Sequence, residues 1–507
     1  MQFGWEKHEN VCFLAWEVVK VSKPIVRALG FIALLLFGLS QSPNPGAQAG
    51  EFRITPSIEL RETVSDNIDL ASDGAEEGAA MTEVVPGVEV RSNSARFTGV
   101  MDLFPILRHQ TAGDDEGASL AGDLAAFGEL EAVEDHLFFD AQASVSQQNL
   151  DNRDVASTAN EKTVALYRFS PNYRHRFAGF AEAQARYRLS QIFVDADSTA
   201  GGTAAASDSL THNVSASLAS GHDFTNFQWT FSGLLEEQDR SDANDISRQE
   251  LDLDLEYAFN RMFSLLAGGG YQTFDDGHFQ NEIDGATWRV GFRLRPGPRT
   301  DLRVTYGHRD DDEGAKVDFS YAISSRTKII AGYSRTIETS QERLDQTLSR
   351  IGLDPESADL IDGQTELAFD PNTSPFGIND RTTRTEAFRL GLDGTRDRNA
   401  FGVNVLVANE ETLPSGAKQD ALQVSGRFSR RISRHTDLSL FAAYERTEFD
   451  DGQEDNEYFI QPGLSYKIYE NVSAGINYSF RKQDSNITTS KFTENRVLLT
   501  IKMNFKP

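Results

Sequence analysis

The sequence predicts an all-β fold, a transmembrane antiparallel up-and-down β-barrel of about 22 strands (range about 16–24) that follows a signal peptide. Three observations predict it. Nearly every segment after residue 50 alternates apolar and polar residues, the alternating runs are long, and short connections take turns with long ones. A period of two gives each segment one apolar face and one polar face. The polar faces carry Asp, Glu and Arg, so they must be wet.

Residues 1–49 read as the signal peptide. Lys20, Lys23 and Arg27 form a positive flank, Ala28 to Leu39 is an apolar core, and Ala47-Gln48-Ala49 is a small-x-small cleavage site before Gly50. That core falls short of the about 20 residues a membrane-spanning helix needs. An inner-membrane anchor is the alternative reading of the same segment.

Residues 50–507 read as the barrel. Leu251-Asp252-Leu253-Asp254-Leu255-Glu256-Tyr257-Ala258-Phe259 alternates most cleanly; Trp288 to Arg295, Val472 to Phe480 and Val497 to Phe505 follow the same rule. Alternation alone also fits a soluble sheet with one solvated face. The runs, however, extend about 10–14 residues, against about 5–6 for soluble strands and about 9–11 for a tilted membrane crossing. No further layer remains to cover the apolar faces, which leaves lipid as their partner. Short connections fall near 92–95, 134–136, 174–177, 221–226, 260–262, 296–300, 324–327, 396–399, 431–436 and 469–471. Long ones fall near 62–83, 108–122, 148–161, 194–208, 239–246, 275–285, 310–315, 339–383, 409–418, 450–456 and 484–491. Bacterial barrels have even strand numbers, short periplasmic turns and long outer loops, which puts both termini in the periplasm. Short turns are basic (Arg174 to Arg176, Arg396, Arg398, Arg430, Arg431) and long loops acidic (Asp310 to Glu313, Asp450, Asp451). Aromatic residues cluster near strand ends, and the last strand closes on Phe505.

The net charge of −28 excludes nucleic acid as a partner, because phosphate binding needs clustered cations. Cys12 is the one cysteine and precedes the apolar core, so no cysteine chemistry survives cleavage. The residues assign no catalytic, cofactor-binding or metal-binding set, and the expected partner is outer-membrane lipid. Gly268-Gly269-Gly270 lies inside a strand, where it reads as a bend or close-packing site.

Two features suggest function. The predicted inner face carries the acidic row Asp252, Asp254 and Glu256 and the basic group Arg289, Arg293, Arg295 and Arg303. They could set a field across a pore or simply pair along the wall. In loop 339–383, Thr339-Ser340-Gln341-Glu342 is a capping box, and Leu344, Leu348 and Ile351 follow at helical spacing. The loop is either a constriction folded into the lumen or an outward flap.

Thr55-Pro56-Ser57-Ile58-Glu59-Leu60-Arg61-Glu62-Thr63-Val64-Ser65-Asp66-Asn67-Ile68, then Val85-Pro86-Gly87-Val88 and Phe138 to Gln148, resemble the PEP-CTERM-system-associated outer-membrane β-barrel family. The Tyr333-Ser334-Arg335 strand fits it too. The resemblance implies a Gram-negative outer-membrane barrel linked to exopolysaccharide and exosortase systems, with periplasmic polysaccharide-export partners and no enzyme activity. It assigns no site residues. The expected function is a channel or secretion-accessory pore serving exopolysaccharide export or envelope assembly. The alternatives are a general diffusion porin and an outer-membrane hydrolase. The mature protein is expected to begin at Gly50. Intact-mass measurement checks this; a mass that retains residues 28–39 restores the anchor reading.

Overall fold

The computed structural model describes residues 51–113, 116–149, 161–194, 207–277, 283–349, 351–353, 360–362 and 376–505; the expected leader lies outside them. Twenty-two strands form one antiparallel sheet that closes on itself. The first eight are β1 (Glu51–Ser65), β2 (Ala79–Asn93), β3 (Phe97–Gln110), β4 (Gly117–Val133), β5 (Leu137–Asn149), β6 (Glu161–Phe177), β7 (Ala181–Val194) and β8 (Ser209–Ser220). Then come β9 (Phe227–Arg240), β10 (Ile246–Ala258), β11 (Phe263–Asp275), β12 (Ile283–Gly297), β13 (Thr300–Arg309), β14 (Asp312–Ser324) and β15 (Thr327–Thr339). Between β15 and β18 come α1 (Ser340–Ser349) and a separate two-stranded ribbon, β16 (Ile351–Leu353) with β17 (Leu360–Asp362). The wall resumes with β18 (Thr382–Arg396), β19 (Asn399–Thr412), β20 (Lys418–Arg431), β21 (Thr436–Phe449), β22 (Glu454–Tyr469), β23 (Val472–Ser485) and β24 (Phe492–Asn504). Each wall strand pairs with its chain neighbours, and β24 pairs with β1 from Ser57↔Asn504 to Ser65↔Arg496. Phe505 adds one more bond, its N–H donating to the Pro56 carbonyl at 2.8 Å.

The alternation places side chains as a barrel requires. On β10, Leu251, Leu253 and Tyr257 are exposed on the outer face at 50%, 42% and 47%, while Asp252, Asp254 and Glu256 point the other way. The outer band is framed by aromatics. At the end with the short turns, Tyr257 packs on Phe259 with ring centroids 4.9 Å apart, and Phe224 lies between Phe180 at 5.6 Å and Trp229 at 6.0 Å. At the loop end, tyrosine hydroxyls donate to polar side chains on the same outer face: Tyr306 to Glu313 at 2.7 Å, Tyr444 to Asn456 at 2.8 Å and Tyr478 to Asn495 at 2.7 Å. From Phe263 to Tyr271 on β11 the chain climbs about 26 Å at about 3.3 Å per residue, or about 20 Å along the normal at about 40° tilt. That approaches the about 25 Å lipid-facing band of outer-membrane barrels.

Two connections differ from the sequence reading. The acidic run at 310–315 is not a long loop: β13 and β14 are joined by Asp310 and Asp311 alone, and Asp312 and Glu313 already belong to β14. Both turn residues have positive φ, +55° and +59°, the pattern of a type I′ hairpin whose twist matches the strands. Aspartate tolerates that region, so acidity signalled a tight turn here. Arg174 to Arg176 likewise belong to β6, which ends at Phe177, and the turn proper is 178–180.

Replacing Leu253 with Arg is expected to cost about 2–4 kcal/mol, because a cation then faces the middle of the lipid band. Asp254→Asn, in a wet lumen, is expected to cost about 1 kcal/mol or less. Equilibrium urea unfolding in lipid vesicles measures both; equal costs contradict the assignment of faces.

Candidate functional site

Every strand contributes alternate residues to the inner face, so the candidate site is the lumen and the segment folded into it. On β10 and β12 the acidic row and the basic group do not oppose each other across the bore. Arg289 donates to Asp254 from Nε at 2.7 Å and to Asp252 from Nη1 at 3.1 Å. Arg293 pairs with Asp301 and lies 3.9 Å from Glu256; Arg295 lies 3.7 Å from Glu256. Arg303 stands exposed on the same inner face of β13, opposite Asp318 in register. The pairing spans an intervening strand, β11, and two glycines permit it. A Cβ on Gly268 would sit 2.7 Å from Arg289 Nε and 3.0 Å from Asp254 Oδ1, and one on Gly270 would sit 2.7 Å from Asp252 Oδ1. The bare backbone is a floor on which the Arg–Asp bridge lies. The Gly268-Gly269-Gly270 run therefore acts through close packing.

Helix α1 and the return leg 376–381 lie inside the barrel. The capping box forms: Thr339 N–H donates to Glu342 Oε2 at 2.8 Å, and Glu342 N–H donates to Thr339 Oγ1 at 3.1 Å. Thr339 and Gln341 are wholly buried and Ser340 nearly so. Leu344 enters an apolar cluster with Val100, Val164, Leu166, Ile192 and Ile378. By register the four wall members come from the inner faces of β3, β6 and β7. The helix ends at Ser349, so Leu348 is its last apolar residue, with its side chain outside the described residues. Ile351 is not part of the helix: it opens β16, a β-branched residue placed in an extended ribbon just before Gly352. Pro355, Pro371 and Pro375, expected to break the chain, lie outside the described residues.

Three ion pairs hold α1 to three separated sectors of the wall. Asp345 pairs with Arg168 of β6 at 2.5 Å, Glu342 with Arg248 of β10 at 3.2 Å, and Arg343 with Glu410 of β19 at 2.8 Å. Arg168 is 4% exposed, so its charge is committed to the helix. The return leg is tied as well. Asp380 accepts from Ser207 N–H at 2.8 Å and from Gln341 Nε2 at 2.5 Å, while its carbonyl accepts from Arg240 at 2.9 Å. Phe376 packs on Ala387, Ala408 and Ala421, with Arg343 over its ring at 5.4 Å.

The wall beneath the segment bends to meet it. The β13–β14 hairpin is low, and above Tyr333 strand β15 has no pairing with β14. The freed top of β15 leans inward. Ile337 packs against Ile246, Phe274 and Ile283 of β10 to β12, and its carbonyl accepts from Arg248 at 3.0 Å. Thr382, at the loop end of β18, donates to Asp276 at 2.6 Å.

The sequence reading located Leu344 but not the wall residues that receive the helix. One signal was present: Val164-Ala165-Leu166-Tyr167 is a continuous apolar run inside an alternating chain. All four residues are buried, so this stretch of wall is covered on both faces. Such runs mark strands covered on both faces.

Residues 401–505, from β19 to the end of β24, match the family model described as "Putative beta-barrel porin 2". No curated protein matches the chain significantly. Among solved structures, the FrpB iron transporter from Neisseria meningitidis, F5-1 variant, superposes with a TM-score of 0.50 at 10% identity over 89% of this chain and 81% of that chain. Its F3-3 variant gives the same figures. The fold is that of an outer-membrane β-barrel. At this identity the likeness concerns architecture alone, and the partial family match adds a porin-like character to the last six strands.

A cysteine in place of Leu344 is expected to react slowly with a membrane-impermeant thiol reagent. Adding Arg168→Ala and Arg248→Ala removes the arginine partners of Asp345 and Glu342 and is expected to raise the rate by about ten-fold or more. Rapid labelling of the single Leu344→Cys variant contradicts the buried helix.

Proposed function

We propose that this chain is an outer-membrane channel whose bore is obstructed at the loop end by its own 340–381 segment, and that it serves exopolysaccharide export or the envelope around it. The observation that carries the channel reading is the helix α1, buried inside the barrel and held by ion pairs to β6, β10 and β19. A sheet of 22 strands encloses a wide bore. With about 4.8 Å between strands and about 40° tilt, the backbone cylinder is roughly 44 Å across. Natural barrels of this size are plugged, whereas open porins use fewer strands. A ten-residue helix held inside the bore by three ion pairs favours an obstructed channel over a freely open one.

The link to exopolysaccharide rests on the resemblance of the first strands and of β5. The orientation follows from loop lengths: the short turns face the periplasm, and β1 begins and β24 ends there. That end presents Arg96, Arg299, Arg326, Arg398 and Arg434 at or beside its turns, a surface suited to an acidic periplasmic partner. Engagement there, transmitted through the wall, is the reading's route to opening.

Thr339 and Thr382 face each other across the β15–β18 ladder, so an Asn-Gly turn can replace residues 340–381 and leave every ladder bond in place. Single-channel recording in planar bilayers is expected to show little conductance for the intact chain and a large, steady conductance for the replaced one. Equal conductance in both sinks the plug; high conductance in both makes the protein a diffusion porin.

A further inference from the structure

The inner wall is polar or covered almost everywhere, with one exception. Among the described strand residues away from the strand ends, Phe441 is the one exposed large apolar side chain that points into the lumen, at 39% exposure. Its neighbours fix that direction: Leu440 and Tyr444, on the opposite face of β21, belong to the outer band, and Tyr444 lies opposite Tyr458 in register. An aromatic face turned to water inside a charged bore costs free energy unless something covers it.

What surrounds Phe441 indicates what would cover it. Directly across the ladders it faces Arg427 on β20 and Gln461 on β22. On one diagonal is Phe459, ring centroids 5.9 Å apart at 59°. On the other is Gly463, whose missing Cβ makes room for polar side chains beside the ring. The Ser439 hydroxyl and the Asn477 amide lean over that glycine; a Cβ there would lie 2.6 Å from Ser439 Oγ. Arg427 donates to Asp393 at 2.6 Å and is still 45% exposed. The arrangement is an aromatic shelf with hydroxyl, amide and guanidinium groups around its rim.

We propose that Phe441 and Phe459 form a lumenal subsite for a neutral hexopyranose chain. A pyranose ring has a flat face of C–H groups that stacks on an aromatic ring and a rim of hydroxyls that need donors and acceptors in the same plane. Both are supplied here. A wholly apolar solute would gain nothing from Arg427, Gln461 and Asn477. An anionic chain would want unpaired cations, and Arg427 is already neutralised by Asp393. The subsite lies toward the turn end. Phe441 is five residues above the start of β21, whereas Glu410, which anchors α1, is eleven above the start of β19. The offset is about 20 Å along the strands at about 3.3 Å per residue. The shelf is therefore open from the turn end while the helix stays in place.

The inference rests on the lumen being a solute path, and its test is independent of conductance. Maltohexaose and cellohexaose are titrated calorimetrically into the mature protein in a detergent without a sugar headgroup, with polyethylene glycol of similar mass as a non-stacking control. At least one hexasaccharide is expected to bind while the glycol does not. Phe441→Ala is expected to weaken binding about ten-fold or more, as loss of an aromatic stacking platform does. Phe441→Trp is expected to retain binding, and Leu440→Ala, on the outer face, to leave it unchanged. Heat-modifiable gel mobility verifies that each variant is folded. The subsite is overturned if neither sugar binds the wild-type protein or the chain lacking 340–381, or if Phe441→Ala binds as tightly as wild type. Binding that persists where loop replacement yields no conductance would sink the channel reading and keep the subsite.

Discussion

The structure depends first on closure of the backbone hydrogen-bond ladder between β1 and β24. In a lipid phase an unpaired N–H or C=O costs several kcal/mol, so a sheet can stand there only if it has no edge. Closure makes each strand's two faces permanent: one meets lipid and the other water. It also fixes the bore. Once 22 strands are needed to close the sheet, the space inside is far wider than the side chains of the wall can fill.

The lumenal segment is the response to that width. A helix about 10–12 Å thick cannot fill such a bore by itself. It is instead positioned by charges at long reach, Arg168, Arg248 and Glu410, with Leu344 in apolar contact with the wall. The two kinds of contact do different things. Apolar burial is non-directional and holds the helix against the β3–β7 side. Buried ion pairs contribute little net stability against a hydrophobic replacement, but each is costly to break singly, so together they select one position among many. A plug held in this way has a defined seat and a limited hold, whereas the wall keeps its full ladder whether the plug is seated or not.

Glycine works against side chains throughout the wall. Gly268 and Gly270 clear the floor for the Arg289 bridge, and Gly463 makes room for the Asn477 amide and the Ser439 hydroxyl. In both places the missing Cβ lets polar side chains of neighbouring strands lie over the backbone. The inner surface thus alternates between zones where charges neutralise each other and a zone where an aromatic ring is left bare.

The sequence by itself determined the strands, their number to within a few, the alternation of faces, the aromatic residues at strand ends and the capping box that starts α1. All of these follow from local periodicity or from pairs a few residues apart, which the chain carries in its own order. Only the tertiary structure decided the rest. Asp252 and Arg289 look like opposed walls in the sequence, yet the curvature of the sheet and a bare strand between them make them partners. The run Asp310 to Glu313 reads as a long acidic loop, yet register with β13 makes it a two-residue turn, and the low hairpin then lets β15 lean inward. Leu344 asks for a buried seat, but alternation states only that a residue faces inward, not what stands opposite it across the lumen. The same limit hid Phe441. Its direction was legible from period two, but its polar surroundings, Asn477 and Ser439 over Gly463, come from three different strands that only the register brings to one place.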